Sequence, residues 1–217
     1  METKKKLVIF LSIMVFIGVT ACSKEDDDSG SGNSSVINAK VENGNEYDDW
    51  IVTVKALIAE NEGYYPGGGF YWIGYELASG EYKNGGFKLN LPANVPEQYL
   101  SESMEDIDFA SDKNAKGVHI HVLAYNEQGR EIGEFKLIGT TNNTEVEAWY
   151  FYIDRNVTAK GTEEDSKYKN KYVYNISYRK GWNISYITEG YTDKEFVYTN
   201  TTSKPEGVDF KWRFRKN

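Results

Sequence analysis

The sequence predicts an all-β domain: an antiparallel β-sandwich of about ten strands, with a closed antiparallel β-barrel as the alternative. Three observations predict it. Apolar and polar residues alternate with period two over most of the chain from Val36 onward, the pattern of strands with one buried face. Turn signals such as Asn84-Gly85 separate the alternating runs, and both residues of that pair accept the positive φ of a type I′ hairpin. No stretch of residues 36–217 reads as a helix longer than a couple of turns.

The first 35 residues lie outside this pattern. Lys4, Lys5 and Lys6 precede an apolar run, Leu7 to Val19, interrupted only by Ser12 and Gly18. Small residues and a single cysteine follow. A basic region, an apolar region and a small-residue cleavage site are the order of a secretory signal. The run is shorter than the roughly 20 apolar residues of a membrane-spanning helix. Val19-Thr20-Ala21-Cys22 resembles the lipobox of bacterial lipoproteins, with Val19 where Leu is commonest. The resemblance implies a signal peptide over residues 1–21, cleavage before Cys22, and acylation of the Cys22 thiol and of its freed amine. A thiol suits that chemistry because its thiolate is the nucleophile. Two or more acyl chains anchor stably where one binds reversibly. Cys22 is the only cysteine in the chain, so no disulfide framework is available and the core must hold the domain together.

Residues 22–35 read as the lipidated cysteine and a flexible tether. Lys24-Glu25-Asp26-Asp27-Asp28 is a charge run, and Ser29 to Ser35 has linker composition. Acidic residues directly after a lipidated cysteine resemble the export signal of Bacteroidota lipoproteins, which implies an outer-membrane protein facing outside the cell. The formal net charge is −8. Residues 1–21 carry a net +2, from Glu2 against the three lysines, so cleavage leaves about −10. That balance argues against nucleic acid as a partner, since nucleic-acid binding needs a basic patch. It also excludes electrostatic attachment to anionic lipid.

Residues 36–217 form the expected single domain. Trp50, Val52, Val54, Ala56 and Ile58 share one face of the first long strand. Gly69 to Tyr82 is an aromatic strand, and Lys83-Asn84-Gly85-Gly86 turns it into Phe87-Lys88-Leu89-Asn90-Leu91. Ala93 to Gly117 is the longest non-strand segment, with a short helix between Pro96 and Met104. Such a connection is a crossover or a functional loop. Val118 to Tyr125 and Glu131 to Gly139 form a hairpin closed by Asn126 to Gly129. In Glu145 to Thr158, Trp149, Phe151 and Ile153 face one way and Tyr150 and Tyr152 the other. Gly161 to Asn170 reads as a polar loop. Lys171 to Tyr178 and Gly181 to Thr188 read as a hairpin around Arg179-Lys180-Gly181, pairing the Tyr172, Tyr174, Ile176 and Tyr178 row with Trp182, Ile184 and Tyr186. At the C-terminus Val208, Phe210, Trp212 and Phe214 alternate with Asp209, Lys211, Arg213 and Arg215, so the last strand belongs to the core.

Several stretches resemble a group of small Bacteroidota surface lipoproteins: Gly85-Gly86-Phe87-Lys88-Leu89-Asn90-Leu91-Pro92, Lys180-Gly181-Trp182-Asn183, and Lys204-Pro205-Glu206-Gly207-Val208-Asp209-Phe210-Lys211-Trp212. The resemblance implies an exported β-domain and no particular activity, so no functional residue is carried over from it.

The residues nominate no catalytic constellation and no cofactor. His119 and His121, the only histidines, lie at i and i+2 on one strand face, a spacing metal ligands use. A third ligand is not identified, and two half-exposed strand histidines are the expected reading, so no metal site is assigned. Glu102, Glu105, Asp106 and Asp108 suit a solvated loop; a hydrolase would need two of them facing across a cleft. Gly67-Gly68-Gly69 lacks the strand–turn–helix context of phosphate binding. The aromatic residues are the remaining candidates, since exposed Trp and Tyr on a rigid sheet stack on sugar rings, and Trp50, Trp72, Trp149, Trp182 and Trp212 are the tryptophans to follow. Three functional expectations result: a non-catalytic binding or structural module whose partner is a glycan or a surface protein, a carboxylate-dependent hydrolase, and a barrel carrying an apolar ligand.

Overall fold

Alternation becomes strands wherever a neighbour supplies the ladder, and fourteen strands form among the described residues. A computed structural model describes residues 35–65, 70–141, 144–165, 167–192 and 194–217. The expected signal peptide (residues 1–21), Cys22, nearly all of the expected tether and Gly67 to Gly69 lie outside them. The strands are β1 (Val36–Lys40), β2 (Thr53–Tyr64), β3 (Phe70–Lys83), β4 (Gly86–Asn90), β5 (Glu102–Ser103), β6 (Lys116–His119), β7 (His121–Tyr125), β8 (Glu131–Thr141), β9 (Thr144–Ile153), β10 (Val157–Asp165), β11 (Asn170–Tyr178), β12 (Gly181–Tyr191), β13 (Phe196–Thr201) and β14 (Lys211–Lys216). The helical content of the described residues is two single turns of 3₁₀ type, Gly44–Tyr47 and Glu97–Tyr99. The second falls inside the segment where a short helix was expected.

The strands join in the order β1-β4-β3-β2-β7-β8-β9-β12-β13-β11-β10, with β14 on β8, β6 on β9 and β5 on β6. Every ladder is antiparallel except β11–β13. The fold is therefore an open all-β sandwich, and the barrel alternative does not form. The one isolated bridge between the β1 side and β14, Val41 to Trp212, is a single contact rather than a ladder. The strand count exceeds ten because short pieces such as β5 and β6 pair separately.

Two cores lie on opposite faces of the sheet. The first packs Ile37, Phe87 and Leu89 of β1 and β4 against Val54, Ile58, Val122, Phe135 and Trp212. Phe87 meets Phe135 at 4.9 Å and Trp212 at 5.4 Å between ring centroids. The second core contains Met104, Ala115, Phe151, Ile153, Val157, Ala159, Ile176 and Tyr178. Strand β9 serves both: Tyr152 points into the first core, Phe151 and Ile153 into the second, as period two requires.

The β3–β4 turn forms as expected, with Asn84 at φ 53° and Gly85 at φ 68°. A Cβ on Gly85 would also clash with the Asn45 side chain. The β7–β8 hairpin forms too, closed by the Asn126 N–H to Arg130 carbonyl bond at 3.0 Å. The C-terminal strand pairs with β8 along its length, and Trp212 is buried.

Three expectations are corrected. Trp50 and Val52 precede β2 and are exposed, while Ile51 is buried instead. Gly161 to Asn170 is largely strand: Gly161 through Asp165 complete β10, which pairs with β11. Their polarity does not prevent a ladder, because backbone pairing holds them. Finally, β11 and β12 are not partners. They splay from Arg179 and Lys180, and β13 enters between them, parallel to β11 and antiparallel to β12. Asn183 braces the splayed turn: its Oδ1 accepts the Arg179 N–H at 3.0 Å and its Nδ2 donates to the Arg179 carbonyl at 2.7 Å.

Candidate ligand-binding groove

The insertion of β13 creates the most distinctive surface of the molecule. Cross-strand pairing aligns one row over four strands: Glu163 of β10, Tyr172 of β11, Tyr198 of β13 and Glu189 of β12. The next row is Gly161, Tyr174, Asn200 and Ile187. Ile176 and Tyr178 continue the β11 face toward the second core. The long segment before β6 forms the facing wall with Glu102, Ser103, Met104, Asp106 and Ile107. Between them runs a groove of about 380 Å³, within the ordinary size of a small-molecule site.

The rings are tilted rather than collapsed onto each other. Tyr172 and Tyr198 lie 6.0 Å apart at 53°, Tyr174 and Tyr198 6.4 Å apart at 56°. Gly161 is required here: a Cβ would strike the Phe109 ring at 2.7 Å, and Phe109 in turn packs tilted beside Tyr174, at 5.8 Å and 55°. At the base, the Tyr178 and Ser185 hydroxyls hydrogen-bond to each other, and Asn200 Nδ2 donates to the Tyr178 oxygen. Asn200 Oδ1 is buried without a hydrogen-bond partner among the described residues.

The groove is acidic: its lining includes Glu102, Asp106 and Glu163 and, among the described residues, no lysine or arginine. Burial, reinforced by the Glu163 charge, pushes the Tyr174 hydroxyl up to about 12. Burial also raises Tyr198 and Tyr178. These phenols therefore stay protonated and can donate hydrogen bonds as well as offer ring faces.

Glu102 links the groove to the histidines. Its Oε1 lies 2.5 Å from His119 Nδ1 and accepts the His119 N–H at 3.2 Å. His119 and His121 share a face, opposite Val118, Ile120 and Val122, as the alternation predicts. Each has its own carboxylate and its own indole: His119 packs on Trp149 at 4.8 Å, His121 on Trp72 at 4.4 Å. His121 Nδ1 meets Glu134 at 2.8 Å. Lys136 then bridges Glu134 at 3.8 Å and Glu147 at 3.0 Å. Burial opposes the charge on Glu134, but the His121 hydrogen bond and the nearby positive charges outweigh it and hold its carboxyl low. His119, His121, Glu134, Lys136, Glu147 and Trp149 line a cavity of about 60 Å³ where β8 leaves β7 and joins β9. Among the described residues no three His, Cys, Asp or Glu side chains are placed to hold a metal. With Lys136 between them, Glu134 and Glu147 form an ion-paired network rather than a carboxylate pair open to a substrate.

The tryptophans are mostly committed elsewhere. Trp212 is in the first core, Trp72 and Trp149 cover the histidines, and Trp182 Nε1 donates to the Pro92 carbonyl at 2.7 Å. Trp50 is exposed but sits edge-on to Tyr47 and Phe214. The residues missed from sequence are the groove tyrosines. Their alternation is visible, yet the β11–β12 hairpin reading pairs them with the wrong strand. The carboxylates of the Ala93 to Gly117 segment divide: Glu102 and Asp106 line the groove, while Asp108 ion-pairs with Lys113.

No family model, curated protein or solved structure matches the chain.

Proposed function

We propose that the protein is a lipid-anchored outer-membrane lipoprotein whose β-domain binds a glycan in the tyrosine groove without catalysis. The observation that carries the reading is the row Glu163–Tyr172–Tyr198–Glu189: ring faces flanked by carboxylate acceptors on a rigid sheet. Sugars present both apolar C–H faces and hydroxyls, and a site for them needs both kinds of surface. The Val19-Thr20-Ala21-Cys22 sequence and the acidic run after it support lipidation at Cys22 and display outside the cell.

Retention on insoluble polysaccharides tests the binding reading. The full-length protein should be retained on at least one glycan and released by soluble fragments of it. Tyr198→Ala should weaken retention strongly, and Tyr172→Ala should do so from the neighbouring strand. Failure of the wild-type protein to be retained by any of a broad set of plant, fungal and bacterial glycans would overturn it.

A further inference from the structure

We infer that the groove selects a glycan bearing a positively charged amino group, an amino sugar with a free ammonium, over its neutral and acidic counterparts. The inference rests on the glycan reading above and names the chemistry of the unit recognised.

Two tyrosine rings stand side by side on β11 and β13 with a carboxylate on each flank, Glu163 from β10 and Glu189 from β12. Asp106 faces them from the opposite wall. An ammonium over a tyrosine face is attracted by the ring quadrupole, and more so when partly desolvated. The flanking carboxylates supply charge-assisted acceptors at the same place. Among the described residues no lysine or arginine lines the groove to neutralise them. Several carboxylates elsewhere on the surface are matched with bases: Glu76 with Lys55, Glu42 with Lys211 and Arg213, Glu145 with Arg215. Glu163, Glu189 and Asp106 have no ion pair of this kind among the described residues.

Glu102 has a different task, because its Oε1 already faces His119. Glu163, whose Oε1 accepts the Asp108 N–H and whose Oε2 is left to meet the ammonium, is joined by Asp106 in the lining and by Glu189 at the edge of the row. The buried Asn200 Oδ1 lies one row below and gives a further acceptor for a hydroxyl or N–H of the same ring. A uronic acid would instead bring a carboxylate against this acidic wall, and an N-acetylated sugar would present no charge to it.

Calorimetric titration of the full-length protein in a non-glycosidic detergent tests this. Three probes of equal length are compared: a glucosamine oligosaccharide, its fully N-acetylated form, and an oligogalacturonate. At about pH 6 the amine of the probe is largely protonated. The glucosamine oligomer should bind ~3- to 10-fold more tightly than the N-acetylated one, and the oligogalacturonate should bind weakest. Glu189→Gln, at an exposed position, and Glu163→Gln, which keeps an acceptor for the Asp108 N–H, should each pull the amine-to-acetyl ratio toward one. Equal or stronger binding of the neutral oligomer would overturn the inference while leaving the glycan reading standing. A preference that survives both substitutions would overturn the assignment of charge to this row. No binding of any of these or other glycans would overturn both readings.

Discussion

Asn200 donates its Nδ2 to the Tyr178 hydroxyl at 3.4 Å and leaves its own Oδ1 buried with no hydrogen-bond partner among the described residues. A buried acceptor left unpaired costs roughly 1–3 kcal/mol, and a ligand that satisfies it recovers that cost. Asn200→Ala should therefore change the urea midpoint little, by the equivalent of under ~1 kcal/mol, since Tyr178 keeps Ser185. The same substitution should weaken glycan binding several-fold. A large stability loss with unchanged binding would make Asn200 a scaffold residue.

The C-terminal strand is needed for folding. Deleting Phe210 to Asn217 removes Trp212 from the first core and the entire ladder to β8. One large buried side chain contributes roughly 1.5–3 kcal/mol, against a total stability of about 5–15 kcal/mol. Circular dichroism of the truncated chain should lose the β signal, and a cooperative melt near the wild-type temperature would contradict the packing described.

Two neighbouring glutamates should give opposite pH dependences. The Glu134 carboxyl is held low in the fold, chiefly against burial, by His121 and Lys136. Its contribution is present above the unfolded carboxylate pKa and is lost as pH falls through the folded value. Glu134→Gln should thus be destabilising near neutrality, with the difference from wild type shrinking in acid. Glu131 is raised by burial, despite bonds from the Trp72 N–H and Asn217. Its ionisation disfavours the fold, increasingly as pH rises from the unfolded value through the raised one. The stability of wild type relative to Glu131→Gln should fall over that rise. Urea midpoints of both variants measured from acid to neutral pH check the two slopes, and parallel curves would contradict the environments described.

Much of the scaffold is legible in the sequence because its contacts are local. Asn84-Gly85 specifies its turn, and Val118, Ile120 and Val122 against His119 and His121 specify two faces of one strand. The groove is less legible because it depends on a distant insertion. Nothing within Lys171 to Thr188 says that Phe196 to Thr201 will come between the two strands. The polar residues Thr162 to Asp165 carry no burial signal either, since their ladder to β11 rather than a core makes them a strand. The acidic flanks of the tyrosine row come from two strands that only β11 and β13 bring into line.

The proposed anchoring separates into two steps. Cys22→Ala should abolish metabolic labelling with a fatty acid and leave a precursor or a soluble product. Replacing Glu25, Asp26, Asp27 and Asp28 with Ala should preserve labelling but remove protease accessibility on intact cells. Unchanged accessibility would reduce the acidic run to a spacer, and labelling that survives Cys22→Ala would remove the lipoprotein reading.

The most direct measurement of the central claim is ring-resonance mapping by NMR, with selectively labelled tyrosine and tryptophan and the glycan that the protein retains. The account predicts saturable shifts of Tyr172, Tyr174 and Tyr198 while Trp50 and Trp182 stay unchanged. Saturable shifts at the tryptophans with the groove tyrosines unmoved would contradict it.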